Sequence, residues 1–428
     1  MFQLSEKTEF ITETFNQAKK YGVAHAMTTN KSFDGRTIQV HGRENIFLGN
    51  CGYLGLATHE RIVEAAIEGI KNYGTFFSSS RVFAGLDLNE KLEDRWEQVF
   101  KRPCIVSPST TMGHFSTLPV LVAPNDLIIL DKQVHISVHT AAMVCKGQGT
   151  EVTSIQHSRL DFLEAKILDA GDKYNRIWYM ADGVFSMFGD PCPGQELHAL
   201  MDKYDNLYAY IDDSHGMSWD GENGVGAYLG AVDYHEKLFM ALSTNKATAT
   251  GGAVLVFPNQ KLKEAVRNCG STLVFSGPQS PASLNAGIVV AEMHLTKEFK
   301  ELQENLMDRI LFFIERAKAL NIPVIYDDKT PIFFIGTGSI ELGIFMINKL
   351  QEQGFFVDGA GYPSVPMNNA GLRVTLTNYL TFEDIELFLQ TVAKLIQGLE
   401  MKRKFNHKEI TNAFEPLMKH RNYAVVNT

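Results

Sequence analysis

The segment IDDSHGMSW, residues 211–219, closes an apolar run on two adjacent aspartates, Asp212 and Asp213, with His215 just beyond them. Further on, ALSTNKATATGGAVLVF sets Lys246 among small and hydroxyl residues immediately before another apolar run. Singly, each residue has an ordinary reading. Aspartates after a strand cap or turn the chain, and a lysine there is a solvated cation. Together they offer a carboxylate, an imidazole and a primary amine, a set suited to proton transfer and to amine chemistry at a carbonyl.

Such groups need elements that bring them together. From about residue 59, helix-like and strand-like stretches alternate. HERIVEAAIEGIKNYG has apolar positions at helical spacing and ends on Gly74, a plausible C-cap. NDLIILD, RIWYMADGVF, LYAYIDD, KLFMALST and GGAVLVF are short, apolar and rich in strand formers, separated by segments long enough for helices, such as SRLDFLEAKILDAGDKY. This alternation predicts an α/β fold with a mostly parallel central sheet sandwiched by helices. Ligands of such sheets bind beyond the carboxyl ends of the strands, and Asp131, Asp182, Asp212 and Lys246 all fall at or just after the ends of these runs. The expected organisation is an N-terminal helix and arm over 1–45, with TIQVHGRENIFLGN as a hairpin, and a large α/β domain over 46–290. A smaller α+β domain follows over 291–400, entered by one long charged helix, with a polar peripheral extension over 401–428.

Composition narrows the class. A chain of 428 residues that is 45% hydrophobic can bury a large core. Its net charge of −9 and pI near 5.8 argue against a nucleic-acid binder. The five cysteines, Cys51, Cys104, Cys145, Cys192 and Cys269, form no CxxC pair, so neither a structural metal site nor a disulfide framework is expected. The N-terminus lacks the apolar core of a signal peptide, and no apolar run reaches the eighteen or so residues that span a bilayer. A soluble, cytoplasmic protein is expected.

A pyridoxal 5′-phosphate site needs an amine for the aldehyde, an acid that keeps the pyridine nitrogen protonated, donors for the phenolate oxygen and phosphate, and a group packed on the ring. Lys246, Asp212 and His215 could meet the amine, acid and phenolate needs, and His135, after LIILDKQV, the packing. Here the chain resembles the α-oxoamine synthases, acyltransferases of pyridoxal phosphate fold type I, from about residue 46 to 395. LGNCGYLGLATHERI resembles the family's sNdYLGL entry, and SSSRVFAGLDLNEKLE its SRxxxGtxxxHxxLE segment. ILDKQVHIS and DGVFSMFGD resemble sDxxxHaS and xGVFSMdGd. IDDSHGMSWDGENGVG, STNKATATGG, FSGPQSP and GLRVTLTNYLTFEDI follow the remaining family motifs in the family's order.

The resemblance implies roles one position at a time. Lys246 would be the Schiff-base lysine and the base for the α-proton, Asp212 the partner of the pyridinium nitrogen, His215 that of the phenolate oxygen, and His135 the stacking ring. Ser186 lies on the phenolate side and Ser243 near the phosphate. Thr111 and Met112 fall at a helix N-terminus suited to phosphate, and Ser276 and Gly277 match a phosphate loop from a neighbouring subunit, implying a homodimer. Arg373 and Asn50 match the pair that grips a substrate carboxylate, a task for a planar guanidinium. The implied reaction is decarboxylative condensation of a small α-amino acid with an acyl thioester, carried by CoA or by an acyl-carrier protein. Transamination, decarboxylation or aldol cleavage on the same scaffold is the alternative. A cofactor-less partner subunit is disfavoured because Lys246 is present. Several positions depart from the family. Phe76 and Phe77 replace small residues, TTMGHF replaces the SGfxaN phosphate turn, Phe188 stands for Asp, Asn245 for Gly and Leu380 for His. These departures are expected at the walls of the substrate channel.

Overall fold

The computed structural model describes residues 4–425, with side chains through Met418. The chain forms two compact units. One comprises Leu54–Ser186 and Asp190–Glu304; the other comprises the chain up to Tyr53, Met187–Gly189 and Asn305–Lys419.

The first unit is built on a seven-stranded sheet. Its spatial order is Cys104–Ser107, Ala253–Val256, Leu238–Ser243, Leu207–Asp212, Ile177–Asp182, Leu127–Asp131 and Glu151–Ile155. The last five run parallel, and Ala253–Val256 is antiparallel to both of its neighbours. Successive side chains on a strand point to opposite faces, and here both faces are apolar. Tyr179, Ala209, Ile211, Leu238 and Met240 enter one core, and Trp178, Met180, Tyr210 and Phe239 the other. Helices cover both, which is why these strands read as continuous apolar runs. Full burial of side chains as large as Trp178 or Tyr179 contributes about 3 kcal/mol each. Parallel register then aligns the strand ends: Asp182 lies opposite Asp212, and Asp212 opposite Ala241.

In the second unit, Thr37–Val40 and Arg43–Phe47 form the expected hairpin. Its turn, His41-Gly42, has positive φ at both positions (53° and 74°), as a two-residue hairpin loop requires. Ile332–Gly338, Ala370–Thr375 and Asp358–Ala360 form an antiparallel sheet, with Arg373 opposite both Phe334 and Asp358. The helix Phe382–Met401 starts with a reciprocal capping box between Thr381 and Asp384.

Two features differ from expectation. The long charged helix is two helices, Pro281–Met293 and Lys297–Ala319. They are separated by a turn in which Thr296 Oγ1 donates to the Met293 carbonyl. The C-terminal segment also carries core residues: Phe405, Ile410 and Phe414 are buried, and Phe414 packs against Phe334 and Phe188.

Candidate active site

Asp212 ends the strand Leu207–Asp212 and is buried. Its Oδ1 accepts from the Ser214 N–H (3.1 Å) and hydroxyl, and its Oδ2 from His114 Nε2 at 3.0 Å. Burial alone would raise its pKa, but the His114 hydrogen bond and the nearby Lys246 and His135 outweigh it and hold Asp212 well below the usual carboxylate range. Asp182, on the neighbouring strand end, shows the opposite balance. Burial and the charge of Asp212 push it well above that range, opposed mainly by the His135 N–H, which donates to Oδ1 at 2.9 Å.

Asp213 points elsewhere. Its Oδ2 accepts from the Tyr228 N–H at 3.0 Å, and three glycines enclose the carboxyl group. A Cβ at Gly183, Gly216 or Gly226 would lie 2.2, 2.0 or 2.3 Å from an Asp213 oxygen. Asp213 is thus a buttress between loops, and Asp212 is the aspartate beside Lys246.

Lys246 is half-buried in the loop after Leu238–Ser243. The loop closes on itself, with Ala249 N–H donating to the Lys246 carbonyl (3.0 Å) and Thr250 N–H to that of Thr244 (2.8 Å). Asn245 Oδ1 accepts from Gly252 N–H at 3.1 Å. Gly252 has φ of 137°, and a Cβ there would strike Gln279 at 1.8 Å, so this turn requires glycine. Ser243 Oγ accepts from the Asn245 N–H at 3.2 Å.

His135 is the N-cap of the helix Ile136–Gly147, with Nδ1 2.6 Å from Ser137 Oγ. Partial burial and the nearby Lys246 lower its pKa, against the pull of Asp212. His215 is buried, and its carbonyl accepts from Trp219 Nε1 at 2.6 Å. Ser186 is half-buried after the strand Ile177–Asp182. Thr111 and Met112 lie in the first turn of the helix Thr110–Leu121, whose N-cap Ser109 accepts from the Met112 N–H. Ser276 Oγ donates to Met112 Sδ at 3.8 Å within the same chain, and Gly277 follows it.

Arg373 and Asn50 belong to the other unit. Arg373 is buried, with Nη1 3.3 Å from Asp358 Oδ2 and Nη2 3.7 Å from Cys51 Sγ. Asn50, next to Cys51, accepts from the Gly52 N–H at 2.8 Å. Among the described residues, no group of three or more His, Cys, Asp or Glu side chains is placed to hold a metal ion.

Sequence reasoning passed over His114. It sits in TTMGHF, and its link to Asp212 spans a separation of 98 residues; the one local signal was a histidine on an otherwise apolar, small-residue helix. Two departures expected at the substrate channel are buried in a hydrophobic interior. Phe188 is 2% exposed, with ring centroids 4.7, 6.2 and 6.3 Å from Phe334, Tyr326 and Phe414, and Leu380 is 0% exposed. Both are core residues of the second unit. Phe76 and Phe77 are exposed.

No family model matches the chain. It is 30% identical over 396 residues to an 8-amino-7-oxononanoate synthase of Thermoanaerobacter pseudethanolicus, an alignment covering 92% of this chain and 98% of that protein. It is 27% identical over 361 residues to a serine palmitoyltransferase of Bacteriovorax stolpii, covering 84% of each. The structure superposes on a serine palmitoyltransferase from S. paucimobilis with a TM-score of 0.85 at 19% identity, covering 94% of this chain and all of the other, which shows a shared fold. With that fold, an acidic strand end beside Lys246, and a 30%-identical relative matched along nearly its whole length, the chain belongs to the α-oxoamine synthases, the pyridoxal phosphate-dependent acyltransferase family.

Proposed function

We propose that this protein condenses a small α-amino acid with an acyl thioester, releasing carbon dioxide and a thiol and forming an α-amino ketone. The carrying observation is the convergence of Asp212, hydrogen-bonded by His114 and Ser214, with Lys246 and His135 beyond aligned parallel strand ends. This donor set fits pyridoxal 5′-phosphate: a held carboxylate for a pyridinium nitrogen, a primary amine for an aldehyde, and an imidazole able to pack on a ring. When bound, that cofactor supplies the aldehyde and an electron-accepting ring. Lys246 would hold it and, once the substrate amine takes that place, accept the α-proton. Asp212 would keep a proton at the ring nitrogen, His215 would serve the phenolate oxygen with Ser186 on that side, and His135 would cover a ring face. Ser243, Thr111, Met112, Ser276 and Gly277 are assigned to the phosphate, where the N-terminus of the helix Thr110–Leu121 favours an anion. Arg373 and Asn50 are assigned to the substrate carboxylate. Arg373 is buried with Nη1 3.3 Å from Asp358 Oδ2, and a planar guanidinium in such a place suits a carboxylate.

The test is a screen of small amino acids for changes in the absorbance of the cofactor-loaded protein, followed by acyl-CoA donors of increasing chain length. Thiol and carbon dioxide should appear in equal amounts with one pairing. Amino-group transfer to a keto acid without thiol release would sink this reading and favour the aminotransferase alternative.

The proposal includes a homodimer in the cytoplasm. Phe83 and Phe275 are 89% and 87% exposed, Phe76 and Phe77 are also exposed, and the Phe76 ring borders Gly277. Large aromatics left exposed in a single chain are candidates for an interface. The cysteines are free, and no helix among the described residues is long and apolar enough to cross a membrane. Sedimentation should give about twice the 47.8 kDa chain mass. Phe83→Asp with Phe275→Asp should shift it toward the single-chain mass, and a wild-type monomer at micromolar concentration would refute the dimer.

A further inference from the structure

The helix Thr110–Leu121 approaches the sheet closely at Gly113, where a Cβ would lie 2.6 Å from Leu255 Cδ2. That approach lowers its neighbour His114 onto the strand Leu207–Asp212. Tyr210 and Asp212 are two positions apart and share one face of that strand. His114 uses both ring nitrogens on them: Nδ1 lies 2.8 Å from Tyr210 Oη and Nε2 3.0 Å from Asp212 Oδ2. Imidazole and phenol are both fully buried and meet edge-on, with centroids 5.6 Å apart at 71°. An ionised carboxylate only accepts, so Nε2 carries the hydrogen, and the Tyr210 hydroxyl fixes the ring from its other side.

The site contains its own comparison. Asp182 and Asp212 are paired residues at the ends of adjacent strands, both buried. Asp182 receives a backbone N–H from His135, and burial dominates there. At Asp212, His114 and Ser214 together occupy both carboxylate oxygens. The groups facing this carboxylate are His114 from the helix, Asp182 from the neighbouring strand, and Lys246 and His135 from the loops.

We propose that His114 is a positioning residue for Asp212: it locks the carboxylate in one rotamer as an ionised acceptor, so that the proton shared with the ring nitrogen of a bound pyridoxal phosphate stays on the ring. The proposal rests on the cofactor reading above. It separates Asp212 from any neighbouring carboxylate by a specific donor rather than by burial.

The experiment compares wild type with His114→Phe, which keeps the shape and loses both hydrogen bonds, and His114→Gln, which keeps a donor able to reach Oδ2. Apo-protein is titrated with pyridoxal 5′-phosphate, and its melting temperature is measured alongside. A hydrogen bond to a charged group of this kind is worth about tenfold in affinity. His114→Phe should therefore raise the dissociation constant about tenfold and shift the pH dependence of the bound-cofactor absorbance, and His114→Gln should recover most of both. ¹⁵N-histidine NMR of the apo-protein should show a slowly exchanging Nε2–H, besides that of the buried His157, that disappears in His114→Phe. Unchanged affinity and pH profile in His114→Phe would overturn the proposal. So would losses in both variants that simply follow their melting temperatures. If wild type takes up no pyridoxal phosphate, the proposed function fails instead, and the NMR signal still decides whether His114 donates to Asp212.

Discussion

Replacing Lys246 with alanine is expected to abolish the visible absorbance of the cofactor-loaded protein and to lower condensation by about 10⁴-fold or more, equivalent to about 5.5 kcal/mol of barrier. On the proposed roles two tasks are lost at once: the covalent attachment point, and the base for the α-proton, whose removal alone costs about 10²- to 10⁴-fold. The fold should survive. The loop around Lys246 is held by main-chain bonds from Ala249 and Thr250 and by Asn245 on Gly252, none of which uses the lysine side chain. Lys246→Arg separates chemistry from charge. It retains a cation beside Asp212 but offers no amine of ordinary basicity, so it should be as inactive as alanine. Steady-state thiol release and an absorbance spectrum check both. A Lys246→Ala protein retaining a tenth of the wild-type rate would remove Lys246 from the chemistry.

Much of this scaffold was readable from pattern. All five apolar runs singled out in the large unit are strands of one sheet, since residues buried on both faces leave an unmistakable run. The helix ending on Gly74 also forms, over Glu60–Tyr73, with φ of 76° at that glycine. The two strands passed over, Cys104–Ser107 and Glu151–Ile155, are the edges of the sheet. Glu151–Ile155 is half polar and mostly unburied, as edge strands tend to be, and carries little periodic signal.

The site divides along the same line. Residues at strand ends announced themselves by position, whereas those that hold them act over long separations. The Asp213 cradle adds Gly183, from the loop after the neighbouring strand, to the nearby Gly216 and Gly226, and Asp212 needs His114 from a helix far back in the chain. Phe188 reads as a change in a substrate wall because it stands where the family has Asp. Its burial depends on Tyr326, Phe334 and Phe414, far along the chain, and no local reading reaches them.

A stability test probes another of these long-range devices. His157 bridges two carboxylates, with Nδ1 2.9 Å from Asp131 Oδ1 and Nε2 2.7 Å from Asp190 Oδ2, and its ring packs edge-on against Phe185. Burial opposes the charged ring, but Asp190 and Asp131 override it and raise the His157 pKa to about 10. An unfolded histidine titrates near 6.5. A group whose pKa is raised on folding stabilises fully below its unfolded value and loses that contribution as pH climbs through the folded one. Wild type should therefore lose stability between about pH 6.5 and 10, and His157→Leu should lack that slope. At pH 6, His157→Leu should unfold about 3–5 kcal/mol more easily, the cost of stranding buried charge, and urea titrations at pH 6, 8 and 10 read both effects. Asp131 keeps donors from Gln133, Ser158 and Tyr179, whereas Asp190 has His157 as its one side-chain donor among the described residues. Adding Asp190→Asn to His157→Leu should then recover part of the loss. The consequence reaches the site, because Asp131 also anchors the turn leading to His135 through the Gln133 and Val134 N–H groups. His157→Leu should weaken pyridoxal phosphate binding as well as folding, and parallel pH slopes for variant and wild type would show that the ring is neutral in the folded protein.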